Sequence, residues 1–170
     1  FSLADTNENR DFLKSWLRFM AEVKNDEHEA INDINNTIDR IYDMKQDGQT
    51  LTLSDFIISL PSDNNEKSRL KIRFDNYKGS IFDNKEDALN FTKQLSVLNM
   101  DGILQNKKTA GLTAIYIVHK LKNKAKNSAD KRGFFCFIDE LKDYLQDETM
   151  QEKILEAILE VRKIGGVMCM

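Results

Sequence analysis

The residues best suited to chemistry stand at the end of one apolar run, where Asp139 and Glu140 follow residues 134–138. The run is apolar on both alternating faces, which is typical of a strand covered on both sides in a parallel sheet. We expect it to be a central strand, with both carboxylates at its carboxyl end, where open α/β sheets bind their ligands. In nucleotide hydrolases with this feature, the Asp holds the water shell of Mg²⁺ and the Glu activates the attacking water.

A strand that ends in an acidic residue also has a simpler explanation, because the carboxylate can cap the following helix. A phosphate-binding loop would favour the catalytic explanation, and it requires Gly, four residues and then Gly-Lys-Ser/Thr. None of the seven glycines opens or closes that pattern. We therefore expect either that the chain is not a nucleotide hydrolase or that the phosphate loop precedes Phe1. A chain that begins with Phe rather than Met favours a fragment.

Composition excludes several classes of protein. The net charge of −3 and the pI near 5.5 over 170 residues exclude a generally basic nucleic-acid-binding protein. No apolar run approaches the roughly 18 residues of a membrane span, and the opening residues lack a signal-peptide pattern. Cys136 and Cys169 are too few for a disulfide framework, so a reduced, cytoplasmic setting is expected. His28 and His119 are too few and too far apart to form a metal site.

The two halves of the chain differ in charge. Residues 1–90 carry 12 basic and 18 acidic residues, a net charge of −6, whereas residues 91–170 carry 13 and 10, a net charge of +3. Within the second half, residues 107–132 hold eight basic residues and one acidic residue. This run fits either a solvated helix face or a docking surface for an acidic partner, phosphates or lipid head groups.

Periodicity also changes near residue 90. Apolar residues three and four positions apart predict four helices in the first half, at about 9–24, 26–48, 52–60 and 62–77. We expect Asp26 to cap the second helix, and Thr52 with Asp55 to open the third. The second half predicts strands near 95–98, 133–138 and 166–170, parallel and adjacent, separated by helices at about 109–124 and after a Thr149–Glu152 capping box. Alternating strands and helices are the signature of an α/β domain.

Several short stretches, taken in chain order, resemble one family. They are Asp5-Thr6-Asn7-Glu8-Asn9-Arg10-Asp11-Phe12-Leu13, Gly79-Ser80-Ile81-Phe82-Asp83-Asn84, Leu98-Asn99-Met100-Asp101, Phe137-Ile138-Asp139-Glu140 and Val161-Arg162-Lys163-Ile164-Gly165. Their order resembles the C-terminal ATPase domain of the VirB4 family of type IV secretion and conjugal-transfer ATPases. The chain departs from the family pattern in three places. Leu141-Lys142 follow the acidic pair, where the family often has Ala-Trp, the sequence stops at Met170 before the family's Thr-Gln pair, and the phosphate loop is absent.

The resemblance implies a fold and a site. Residues 91–170 would form a partial RecA-like parallel sheet with helices on both faces and the Walker B strand, and residues 1–90 would form an all-helical subdomain inserted into it. Asp139 would bind Mg²⁺ through water, and Glu140 would be the general base. Arg162 would act on the nucleotide of a neighbouring subunit or as a sensor of the nucleotide. The alternative is that Arg162 has no catalytic role and only places a positive charge at the negative end of a helix dipole.

The resemblance further implies an ATPase that powers assembly of, or substrate transport through, a bacterial type IV secretion system. The longer parent would use ATP and Mg²⁺, whereas the fragment is expected to bind neither and to be inactive. Its expected partners are other secretion components and further copies of itself, which would form a hexamer in the parent. We expect the protein to lie at the cytoplasmic face of the inner membrane and to bind no nucleic acid sequence-specifically. The alternative is a non-catalytic interaction module in which the acidic helical half binds a partner.

Overall fold

The computed structural model describes residues 3–45, 49–62, 65–127, 133–139 and 148–169. The elements in chain order are α1 (Asn7–Met20), α2 (His28–Met44), α3 (Leu53–Ser59), α4 (Asn65–Asp75), α5 (Asp101–Leu104), α6 (Lys107–Asn127), β1 (Phe135–Phe137), α7 (Glu148–Lys163) and β2 (Val167–Cys169). Helices dominate the described residues, and β1 and β2 form a small parallel sheet, consistent with the predicted α/β class. The chain is divided into two compact units, Phe1–Ala88 and Leu89–Met170.

The first unit consists of helices α1–α4 in its described residues, as the periodicity predicts. Thr6 caps α1 by accepting a hydrogen bond from the Asn9 amide. Helix α1 packs against α2, and the leucines of α1 and the isoleucines Ile34 and Ile38 of α2 are buried. Phe56 of α3 and Phe74 of α4 meet edge to face with 5.3 Å between ring centroids. Side chains at helical spacing therefore build a core that needs no strand.

The start of α2 differs from the prediction. Glu27, rather than Asp26, is the N-cap residue, and it makes no side-chain capping bond. Its carboxylate instead accepts hydrogen bonds from the Arg73 guanidinium at 2.6 Å and from the Lys24 amide at 2.8 Å. The Arg73 bond, followed by the Lys24 amide, lowers the pKa of Glu27 to about 2. A contact with a distant arginine has thus replaced the local cap that the sequence suggested.

The short helix α3 confirms the predicted start. Thr52 and Asp55 form a reciprocal capping box, in which each side chain accepts a hydrogen bond from the backbone amide of the other. The helix ends at Ser59, just before the Leu60–Pro61 pair, as expected for a residue that precedes proline. Both ends of α3 follow from local sequence alone, because caps and prolines act within one turn.

The end of α1 places a residue with a side chain where glycine is usual. The Glu22 amide bonds to the Phe19 carbonyl and the Val23 amide to the Arg18 carbonyl, which is the Schellman arrangement. Glu22 has φ = 52°, in the left-handed region. A Cβ at that position lies too close to the following carbonyl, at a cost of about 1–2 kcal/mol.

We therefore expect Glu22→Gly to raise the free energy of unfolding of the first unit by about 0.5–1 kcal/mol, because glycine relieves the Cβ strain but loses more chain entropy on folding. Glu22→Ala is the matched control, since it removes the same carboxylate and keeps the Cβ. Trp16 is the single tryptophan and is buried in this unit, so its fluorescence in a urea titration reports the unfolding. Equal stability of the Gly and Ala variants would contradict the expectation.

The second unit is built around a strand–helix–strand connection. β1 and β2 pair in parallel, with Cys136 opposite Met168 in the register, and α7 connects them. Helix α6 packs against α7, where the Lys122 ammonium lies 2.5 Å from the Glu160 carboxylate. The predicted strands at 133–138 and 166–170 and their parallel pairing are therefore confirmed.

The surroundings of β1 differ from the prediction. In the described part of the chain β1 pairs with β2 alone, and Phe135 and Phe137 are each 67% exposed, so the predicted central position and two-sided cover are wrong here. The predicted strand at 95–98 is also wrong, because these residues form no ladder and Leu95 and Val97 are 79% and 85% exposed. An apolar run becomes a strand only where another strand pairs with it.

Close backbone contact shapes the turn from α7 into β2. Gly165 has φ = 79°, and the Gly166 amide bonds to the Val161 carbonyl in a Schellman arrangement. A Cβ at Gly133 would lie 2.1 Å from the Gly165 carbonyl oxygen, so the chain entering β1 touches this turn.

The predicted capping box of Thr149 and Glu152 is wrong, because both residues already lie inside α7.

Candidate functional site

Asp139 directly follows the last paired residue of β1. The Ile138 amide donates to the Cys169 carbonyl at 2.9 Å, so pairing with β2 continues to the residue before Asp139. Asp139 lies in a turn with an exposed side chain. It is thereby at the carboxyl edge of the two parallel strands, the edge at which open α/β sheets bind ligands. Glu140, the predicted general base, lies outside the described residues.

The chemistry of Asp139 fits a hydrated magnesium ion. Mg²⁺ prefers oxygen ligands, keeps several of its waters and is often held by one or two carboxylates. The described residues contain no group of three or more His, Cys, Asp or Glu that could hold a metal directly. Asp139 is the carboxylate that the described residues place at this edge, and an exposed carboxylate suits contact with such an ion through water.

Arg162 lies at the opposite edge of the sheet from Asp139. It belongs to the last turn of α7 and is exposed. Because the strands are parallel, α7 must return the chain from the carboxyl edge of β1 to the amino edge of β2, and Arg162 sits at the end of that return. The structure therefore does not bring the two predicted site residues together within one chain.

Part of the basic run serves the packing of helices. The Lys122 side chain is only 14% exposed, and it pairs with Glu160 across the α6–α7 contact. His119, on the same helix, is buried, with its ring nitrogen Nε2 3.0 Å from the Asn123 amide nitrogen. At least Lys122 of the basic run therefore contacts a neighbouring helix, which the density of lysines in the sequence did not reveal.

The stretch 79–84 joins three parts of the first unit. The Asp83 carboxylate accepts hydrogen bonds from the Ser54 amide at 2.8 Å, the Ser54 hydroxyl at 2.6 Å and the Gly79 amide at 2.9 Å. Burial disfavours the charged form, but the bonds from Gly79 and Ser54 outweigh it and lower the pKa of Asp83. Phe82 meets Trp16 edge to face at 5.2 Å. The sequence holds no local signal for the contact between Asp83 and Ser54, which are 29 positions apart, or for the contact between Phe82 and Trp16.

No helix in the described part of the chain combines the length and apolar character of a membrane span. No protein-family model and no solved structure matches the chain.

Two curated proteins are similar over almost the whole chain. The type IV secretion system protein VirB4 of Bartonella henselae (strain Houston 1) is 26% identical, and the protein of the same name from Bartonella quintana (strain Toulouse) is 24% identical. Each match covers 96% of this chain and 21% of the relative, so the chain spans about a fifth of the length of these relatives. The chain resembles a fragment of a VirB4 protein of type IV secretion systems.

Proposed function

We propose that this chain is part of an ATPase that powers assembly of, or substrate transport through, a bacterial type IV secretion system. The position of Asp139, at the carboxyl edge of a parallel strand–helix–strand unit, carries the proposal. The names of the two similar proteins support the secretion system as its setting.

In the proposed fold, residues 91–170 form part of a RecA-like core and residues 1–90 form its helical insertion. Further strands and helices of a longer protein would complete the sheet. The exposure of Phe135 and Phe137 supports this, because large apolar side chains on a sheet face are normally covered.

In the proposed site, Asp139 accepts hydrogen bonds from the water shell of Mg²⁺, and Glu140 accepts the proton of the attacking water. Bound Mg²⁺ would neutralise charge that develops on the phosphate oxygens. Arg162 acts on the nucleotide of a neighbouring copy, because it lies at the edge of the sheet opposite to Asp139. The proposed partners are further copies, in a hexamer, and other secretion components at the cytoplasmic face of the inner membrane.

ATP hydrolysis by a longer protein that contains this chain tests the proposal. The wild-type protein should hydrolyse ATP, and Glu140→Gln should abolish most of the turnover, as argued in detail below. Absence of hydrolysis by the wild-type protein in the presence of Mg²⁺ would contradict the proposal.

The 170-residue chain itself should show no saturable binding of MgATP at millimolar nucleotide. Backbone amides and a lysine of a phosphate loop supply most of the binding energy in such sites, and the sequence has no Gly-x-x-x-x-Gly-Lys-Ser/Thr motif. Calorimetric titration measures this directly, with a longer protein that carries the motif as the positive control. Tight binding by the chain, abolished by Asp139→Asn, would show that the acidic edge binds nucleotide without a phosphate loop.

A further inference from the structure

The carboxyl end of α6 is strongly basic. The whole helix contains no acidic residue, and its last eight residues hold four lysines, Lys120, Lys122, Lys124 and Lys126. Lys124 and Lys126 are exposed. Residues two positions apart do not face one another on a helix, so the four cations are distributed around this end of α6 rather than along one side.

The carboxyl end of α7 adds a further cation beside them. Lys122 of α6 and Glu160 of α7 form an ion pair, so the carboxyl-terminal parts of the two helices are in contact. Lys126 follows Lys122 by four residues and Lys163 follows Glu160 by three, which places each on the same helix face as the paired residue. Lys126 and Lys163 are both exposed. Each therefore lies about one helical turn, roughly 5 Å along its helix, from the ion pair.

The positive charge at these helix ends exceeds what the helices themselves favour. Residues 120–127 and 156–163 contain six basic residues and two acidic residues, Glu156 and Glu160, a net charge of +4. A helix carries the equivalent of about half a negative charge at its carboxyl end, so the two ends together account for about one cation. The rest is an excess of positive charge, and such an excess attracts anions.

Nucleic acids and anionic lipid surfaces both present dense arrays of phosphate groups. Five of the six cations are lysines, whose ammonium groups stand on long apolar stems that suit lipid head groups, whereas the planar guanidinium of arginine is preferred for nucleic-acid phosphates. Leu159 lies one turn before Lys163 and is 58% exposed. An exposed apolar side chain beside cations suits the boundary between head groups and acyl chains. These features favour a lipid surface.

We propose that the carboxyl ends of α6 and α7 bind the phosphate groups of an anionic lipid surface. Lys124, Lys126 and Lys163 contact the phosphates, and Leu159 enters the boundary beneath them. Arg162 is not required for this contact, because consecutive residues of a helix are turned from one another by about 100°. Its proposed action on the nucleotide of a neighbouring copy is therefore retained.

Direct binding of lipid goes beyond a location that other secretion components provide, because it requires no protein partner. The identity of the lipid surface, the cytoplasmic face of the inner membrane, rests on the proposed function. The affinity for anionic lipid rests only on the charge and the exposure of the two helix ends.

Co-sedimentation of the 170-residue chain with vesicles tests the proposal. Vesicles of equal parts phosphatidylglycerol and phosphatidylcholine should bind the chain, whereas vesicles of phosphatidylcholine alone should not. Raising the salt from roughly 0.1 M to 1 M shortens the Debye length from about 10 Å to about 3 Å and should release most of the bound chain. Equal binding to both kinds of vesicle, or binding to neither, would overturn the proposal.

Charge removal at the two helix ends gives a second readout. Lys126→Gln together with Lys163→Gln should lower the partition coefficient roughly 25-fold, because each lysine near an anionic surface contributes a factor of roughly five. The matched control is Lys107→Gln with Lys108→Gln, which removes the same charge at the other end of the 21-residue helix α6, about 30 Å away. Equal losses in the two double variants, with helix content matched by circular dichroism, would overturn the assignment of the site.

A DNA duplex of random sequence, titrated in the same buffer, distinguishes lipid from the other class of polyanion. Binding to the duplex without binding to the vesicles would overturn the proposal. Leu159→Gln should weaken binding to the vesicles only, and an unchanged affinity for them would reject the apolar contact.

The vesicle experiment contains no nucleotide, so its result is independent of hydrolysis. Vesicle binding together with normal turnover of Glu140→Gln in a longer protein would retain the lipid surface and reject the proposed function. Loss of turnover in that variant without vesicle binding would do the opposite.

Discussion

Replacing Glu140 with Gln in a longer protein that contains this chain should lower the rate of ATP hydrolysis by roughly 10²-fold or more. Gln has the shape of Glu but accepts no proton, so the attacking water keeps its proton in the transition state. The contacts that hold the nucleotide in the ground state do not involve this proton, and nucleotide affinity should remain nearly unchanged. Steady-state hydrolysis together with a nucleotide-binding titration measures both quantities.

Glu152→Gln is the matched control for this experiment, because Glu152 is an exposed acid of α7 and has no place in the proposed site. It should leave turnover unchanged. Near-normal hydrolysis by Glu140→Gln would mean that Asp139 and Glu140 end a strand for structural reasons. A large loss of affinity in the same variant would instead assign Glu140 to nucleotide binding.

Replacing Phe74 with Ala should lower the free energy of unfolding of the first unit by roughly 3–5 kcal/mol. The Phe74 side chain is 0% exposed, and its ring meets that of Phe56 edge to face. Removing the ring exposes a cavity lined by α3 and α4 and deletes the aromatic contact. A loss of this size is a large part of the stability of a small domain, so the midpoint of a urea titration followed by Trp16 fluorescence should fall sharply.

Ile72→Ala provides the control on the same helix, because the Ile72 side chain is 62% exposed. Its expected effect is within about 0.5 kcal/mol, the usual range for a surface substitution. Similar losses for the two variants would contradict the packing described for α4. A small loss for Phe74→Ala alone would show that α3 and α4 do not share a tightly packed core.

Local rules predicted the elements of the first unit well. The capping box of Thr52 and Asp55 needs only residues three positions apart, and the apolar periodicity of α1 needs only one helix face. Both signals are complete within a few turns of chain. The start of α2 was predicted wrongly, because Glu27 is engaged by Arg73, a residue 46 positions away that no local rule detects.

The sheet shows where apolar runs lose their predictive value. The run ending at Asp139 predicted a strand, because five apolar residues bounded by a glycine and by acids are too few for a typical helix, and β1 is that strand. It did not predict that Phe135 and Phe137 would be exposed. The helices or strands that bury the faces of a strand come from other parts of the chain. A run of apolar residues indicates only that the strand would be buried in the complete fold, not which elements bury it.

The sequence by itself determined the residue types of the candidate site and the placement of Asp139, because an acid that follows a parallel strand must stand at the carboxyl edge of the sheet. It did not determine the relation between Asp139 and Arg162. Only the tertiary structure placed them at opposite edges, because α7 crosses back along the sheet before β2 begins. The contact of Asp83 with Ser54 is likewise a product of tertiary folding, since hydrogen bonds between residues 29 positions apart depend on how the helices between them pack.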